Sequence, residues 1–102
     1  MKASRKHEDA TVEMLKLEPE LAEEYIRATL EEIDEQGGEA AFLAALRNVA
    51  LARGSIADIA RNAGMKREAV SRALSPRGNP TLKTLTTVCR AMGVRLEARM
   101  VG

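Results

Sequence analysis

The chain has 102 residues, 45% hydrophobic and 30% charged, which fits one soluble domain and excludes a disordered chain. A single cysteine excludes an internal disulfide and suits a reducing cytoplasm, and no apolar run approaches the ~18 residues of a membrane span. The net charge of +1 hides two opposed halves: residues 1–39 hold 5 Lys/Arg against 12 Asp/Glu, net −7, and residues 40–102 hold 11 against 3, net +8.

That division predicts two surfaces with two different partners, or an acidic helix lying against the basic part of its own chain. Tyr25 and Phe42 are the only aromatics, so the core is left to Leu, Ile, Val, Ala and Met of closely packed helices. Residues 1–10 are charged, lack the apolar stretch of a signal peptide and read as a flexible lead. Residues 11–102 read as one domain. Thr11 to Leu17 fits a short helix or an extended lead-in. Pro19 suits the first turn of an acidic helix in which Leu21, Tyr25, Leu30 and Ile33 recur at helical spacing, and Gln36-Gly37-Gly38 ends it. A second helix runs from about Glu39 to Arg53 with Phe42, Leu43, Leu46, Val49 and Ala50 as its apolar stripe, and Gly54 stops it.

Ser55 offers an N-cap for a short helix, Ile56 to Ala63, which Gly64 breaks; another short helix covers about Lys66 to Leu74. Residues 75–79 are a loop by composition. Pro80 opens a last helix that buries Leu82, Leu85, Val88, Cys89 and Met92, closed by Gly93. From Val94 to Val101 the chain nearly alternates, with Val94, Leu96, Ala98 and Met100 on one face and Arg95, Glu97 and Arg99 on the other. That is a strand pattern, and no second strong strand exists to satisfy its amides and carbonyls. It should therefore pair with a copy of itself, with a partner chain, or with residues 11–17. The predicted class is all-α: five helices, the first of them acidic, and a short C-terminal β-strand.

Residues 55–74 carry the pattern of a helix-turn-helix. Gly64 stands at the turn, where the backbone must leave the right-handed helical region. Ala60, four residues earlier, lets the second helix cross closely. Ile56, Ile59, Ala63 and Met65, with Val70, Ala73 and Leu74, supply the apolar inner faces. The agreement of all these positions is what makes the motif specific; a plain antiparallel helix pair does not require them.

The outer face of the second helix offers Arg67, Glu68, Ser71 and Arg72 as base-reading residues. Arginine forks suit guanine O6 and N7 in the major groove. Glu68 can accept from a cytosine amine or pair with Arg72 one turn on. Phosphate contacts fall to Lys66 at the helix start, to Ser55 with the free amides of the first helix, and to Arg77, Asn79, Thr81 and Lys83 downstream.

Chemistry of other kinds finds little support. His7 reads as a solvated tail residue, and Cys89 lies at helical spacing with Leu85 and Met92 as a core residue. There is no phosphate-cradling glycine loop and no metal-ligand spacing, so neither an enzyme, a metal nor a cofactor is expected. The carboxylates Glu23, Glu24, Glu31, Glu32, Asp34 and Glu35 have no partner base.

The chain resembles the phage-repressor-like helix-turn-helix proteins, and more closely the probable addiction-module antidote proteins related to HigA-type antitoxins. The residues that carry the likeness are Ala22 to Ile26, Phe42 to Leu46, Ala50 to Gly54, Ile59-Ala60, Gly64 to Glu68 and Ala73 to Ser75. Gly78-Asn79-Pro80-Thr81 and Ala91 to Val94 complete it, so that it spans about residues 12–98. Family members often carry an aromatic residue where this chain has Ser71, a departure that bears on base contacts rather than on the fold.

The resemblance implies a phage-repressor-like domain that binds its own promoter; by helix-turn-helix geometry a homodimeric repressor would set two reading helices about one DNA turn apart on a palindromic operator in double-stranded DNA. It also implies a partner, a RelE/HigB-type mRNA-cleaving toxin, whose basic surface the acidic residues Glu23, Glu24, Glu31, Glu32 and Glu35 would cover. No membrane role is expected. Two alternatives stay open: a solitary phage-type regulator without a toxin, and a protein-interaction module that keeps the helix pair only as a scaffold.

Overall fold

Helix formation follows the apolar spacing nearly throughout. A computed structural model describes residues 2–102, with side chains from Glu8 onward. Its helices are α1 (Lys2–Leu17), α2 (Leu21–Glu31), α3 (Gly38–Ala52), α4 (Ile56–Ala63), α5 (Arg67–Ala73) and α6 (Leu82–Ala91). Met1 and the side chain of His7 lie outside the described residues.

Two expectations are corrected. The described residues form six helices rather than five, because the segment left open at Thr11 to Leu17 is helical and continues back to Lys2, across the stretch read as a flexible lead. α1 packs on α3, with Leu15 buried in the core and Val12 half-buried. The C-terminal strand is absent among the described residues: 94–102 carry no regular structure. A strand needs a neighbour for its amides and carbonyls, and residues 11–17, one of the partners considered, are committed to α1.

The acidic helix also ends earlier than Gln36. After Glu31 the chain makes successive turns, with the Glu35 amide donating to the Glu32 carbonyl at 3.0 Å and the Gly38 amide to the Glu35 carbonyl at 2.8 Å. Pro80 does not open the last helix. Thr81 caps it, and its first residue, Leu82, is 75% exposed rather than buried.

α3 is the central element. Phe42, Leu43, Ala45, Leu46, Val49 and Ala50 are buried on it, and it packs against α1, α2 and α4. α4 then turns away at 96° to α3 and packs on α5 and α6. One apolar cluster runs through both groups, from Leu15 and Ile26 through Leu46 and Val49 to Val70, Leu74, Val88 and Cys89. α1 and α2 thus pack on α3, while α5 and α6 pack on α4 and on each other. No single helix is long and apolar enough to cross a membrane.

Candidate nucleic-acid interface

The junction of α4 and α5 is built from local chemistry. Ser55, in extended conformation, accepts a hydrogen bond from the Asp58 amide at 3.0 Å and so caps α4. At the other end Gly64 takes φ 69° in the left-handed region, and the Met65 amide reaches the Ala60 carbonyl at 2.9 Å. That closure satisfies carbonyls the helix end would leave open. Lys66 returns to extended backbone, φ −72° and ψ 144°, and α5 begins.

The inner faces meet as the spacing requires. Ile56, Ile59 and Ala60 of α4, together with Val70, Ala73 and Leu74, are buried; Met65 is half-buried against the same cluster. Lys66, Arg67, Glu68 and Arg72 are exposed on the opposite side, and Ser71 is half-buried. Among the described residues these five side chains make no hydrogen bond or ion pair. The Glu68–Arg72 pair, one of the two roles open to Glu68, is thus not formed in the free chain.

Downstream of α5 the chain folds back tightly. The Ser75 hydroxyl donates to the Arg72 carbonyl at 2.9 Å, and the Gly78 amide donates to the Ser75 carbonyl at 2.8 Å. A side chain at Gly78 would lie 2.4 Å from the Ala73 carbonyl oxygen, so the loop can rest on the end of α5 only with glycine there. Arg77 and Asn79 line one groove with Arg72. Thr81 accepts from the Thr84 amide at 3.1 Å and caps α6, a role that a threonine ahead of an apolar run could have signalled in the sequence. Lys83 is exposed on the first turn of α6. The groove is shallow, about 380 Å³, and Ala69, Thr81 and Thr84 complete its lining.

Ser55 stands apart from this groove, and its surroundings differ. The Ser55 hydroxyl and then the Arg61 guanidinium hold the Asp58 carboxyl below its ordinary range. The amide end of α4 therefore already faces a carboxylate, which a phosphate would have to displace or share.

The acidic residues divide in two. Arg27 bonds Glu23 at 2.8 Å and Glu24 at 3.1 Å on α2, and the contact with Glu23 foremost raises the guanidinium pKa. Glu31, at the end of α2, and Glu32 and Glu35, in the turns after it, are exposed without an ion pair among the described residues.

Two supports could not be read from the sequence. Arg53, at the end of α3, donates to the Met92 carbonyl at 2.8 Å and ties α3 to the end of α6. Asn48, the one buried polar residue among those described, donates to the Tyr25 hydroxyl at 3.0 Å and ties α3 to α2. Partners 39 and 23 residues apart leave no local pattern.

Comparison with known proteins adds to this geometry. A protein of Haemophilus influenzae that carries no functional description is 37% identical over 78 residues, which covers 76% of this chain and 79% of that protein. No solved structure matches. The family model described as "Probable addiction module antidote protein" matches residues 11–100, from α1 to the end of the segment that follows α6. The chain belongs to the family of probable addiction module antidote proteins.

Proposed function

We propose that the chain is the antidote of a toxin–antidote pair and a sequence-specific repressor of its own operator, acting as a homodimer. In this reading α4 and α5 are a helix-turn-helix, and α5 enters the major groove of double-stranded DNA. Arg67, Glu68, Ser71 and Arg72 read bases; Lys66, Arg77, Asn79, Thr81 and Lys83 hold phosphates, with Ser55 as a further phosphate contact. The observation that carries it is the outer face of α5. Arg67, Glu68 and Arg72 project with no internal partner, beside the cations and hydrogen-bonding groups of the 77–83 segment. Unpaired guanidinium groups on a short, rigid helix suit guanine edges, because no internal bond must break before they engage.

Antidote activity rests on the family and on charge. Glu31, Glu32 and Glu35, with Glu23 and Glu24 nearby, present an acidic surface suited to a basic, RNA-binding toxin of RelE/HigB type.

A gel-shift titration with the DNA upstream of the gene tests the repressor. The wild-type chain is expected to retard that DNA, and Arg67→Ala with Arg72→Ala to weaken binding at least tenfold, since each lost bidentate contact is worth about 1–3 kcal/mol. Equal binding by both chains would leave the helix pair a scaffold only.

A further inference from the structure

After a turn at Met92 and Gly93, residues 94–102 carry no further turn or bend. The Val94 amide donates to the Cys89 carbonyl at 2.8 Å. Beyond it, the backbone amides and carbonyls of residues 95–101 bond to nothing among the described residues. Val94 and Leu96 pack against the core, whereas Met100 is 96% exposed. Thr86 and Arg90 of α6, with Val94, Arg95 and Leu96, line a hollow of about 470 Å³ beside the segment.

We infer that this segment pairs antiparallel with the same segment of a second copy, about a two-fold axis through Ala98. The inference rests on the reading of the chain as a homodimer and names the surface that makes it.

The register follows from the side chains. Directly opposed residues of an antiparallel pair share a face, so an axis between two residues would set apolar side chains against charged ones along the whole segment. An axis on Glu97 opposes Glu97 to itself and Arg95 to Arg99. An axis on Arg99 opposes that arginine to itself. An axis on Leu96 joins Arg95 to Glu97, but it pairs only residues 94–98 before the end of α6 intervenes. An axis on Ala98 pairs the whole of 94–102. It sets Leu96 against Met100 and joins Glu97 to Arg99 twice, once on each side of the axis. A small side chain then meets its own copy at the centre. Like charges directly opposed destabilise a strand pair, and opposite charges support it.

The backbone agrees with that choice. Hydrogen-bonded and non-bonded pairs alternate along an antiparallel ladder. The Val94 amide is already engaged, so the bonded pairs are 95 with 101 and 97 with 99. Ala98 is then a non-bonded pair. This gives partners to the amides and carbonyls of Arg95, Glu97, Arg99 and Val101, and it brings the exposed Met100 of each copy beside Leu96 and the hollow on α6 of the other.

Sedimentation of the full chain, free of DNA and toxin, tests the pairing. The full chain is expected to be a dimer and a chain ending at Val94 a monomer with unchanged helical circular dichroism. Ala98→Cys is expected to form an intermolecular disulfide under mild oxidation, since the two Cα atoms would lie about 4.5 Å apart. Arg99→Cys should not, its copies being about 8.5 Å apart; the native Cys89 is buried and does not compete. Glu97→Arg should weaken dimerisation about tenfold, and Glu97→Arg with Arg99→Glu should restore it. A monomeric full chain would overturn both this pairing and the dimer reading. A dimeric truncated chain, or cross-linking as ready in Arg99→Cys as in Ala98→Cys, would overturn the pairing alone and leave DNA binding untouched.

Discussion

Gly64 and Gly78 flank α5, and the backbone needs them for different reasons. Gly64 has open space where a side chain would stand but takes a left-handed φ of 69°, which costs an L-residue about 1–2 kcal/mol. Gly78 has no such φ; its missing side chain would overlap the Ala73 and Arg72 carbonyl oxygens at 2.4 and 2.8 Å. Gly78→Ala should therefore displace the loop that carries Arg77 and Asn79 and destabilise the fold by about 1–3 kcal/mol, as overpacking does. Urea unfolding measures the cost. DNA affinity should fall further for Gly78→Ala than for Gly64→Ala, because only the former moves the 77–83 segment.

Cys89 illustrates the same scale in pH. Burial pushes its thiol pKa up from 9.0 to about 11. The unfolded chain loses this proton near its ordinary value, while the folded chain keeps it. Stability is therefore full below pH 9 and declines as pH rises toward 11, by about 3 kcal/mol from this group. Urea midpoints at pH 8 and pH 10.5 should converge in Cys89→Ala relative to the wild type. The folded thiol should also resist a thiol reagent at neutral pH until urea exposes it.

At the scale of elements, α2 and α3 are joined by one polar contact inside an apolar seam, Asn48 to Tyr25 at 3.0 Å. Tyr25→Phe keeps the ring and leaves the buried Asn48 amide without its acceptor, which should cost about 1–3 kcal/mol with little change in helix content. Thermal unfolding followed by circular dichroism checks it. The seam also shows what the sequence could and could not reveal. α3, α4 and α5 were legible because each carries an apolar stripe and is bounded by residues whose chemistry is local: Gly54, Ser55 and Gly64, with a loop by composition at 75–79. α1 was ambiguous because Val12 and Leu15 alone do not complete a helical stripe; α3 supplies the surface that decides it. Leu82 fitted the spacing of α6 yet sits at its exposed first turn, where no neighbour lies above it. The strand pattern at 94–101 finds no strand to pair with among the described residues, so alternation alone could not make it a strand. The exposed row on α5 was readable from the arrangement of Val70, Ala73 and Leu74 behind it, since burying one side of a two-turn helix fixes the other. The Arg53–Met92 tie depends on long-range packing and had no local sign.

Across the whole molecule, the acidic residues lie on α2 and the turns after it, and the cations proposed for DNA lie at the start of α5 and on the 77–83 segment. If Lys66, Arg77 and Lys83 of each protomer neutralise phosphates, a dimer releases about six counterions' worth of charge. Its affinity for operator DNA should then fall roughly a thousandfold between 50 and 200 mM salt. Fluorescence anisotropy at graded salt gives the slope, which Lys83→Ala should reduce without changing base preference.

The acidic surface leads to a sharper expectation. Glu23 and Glu24 are engaged by Arg27, so their charge is partly neutralised before any partner arrives. Glu31, Glu32 and Glu35 carry no such pairing among the described residues, and their field reaches outward undiminished. A basic toxin should therefore depend more on the second group. Glu31→Lys, Glu32→Lys and Glu35→Lys together should abolish protection of cells expressing a cognate toxin while leaving operator binding intact. Glu23→Lys with Glu24→Lys should weaken protection less, and Arg67→Ala with Arg72→Ala should spare protection and lose only the operator. Co-expression survival and anisotropy, measured on the same variants, separate the two surfaces. If the lysine triple variant still protects fully, the acidic surface is not where the toxin docks.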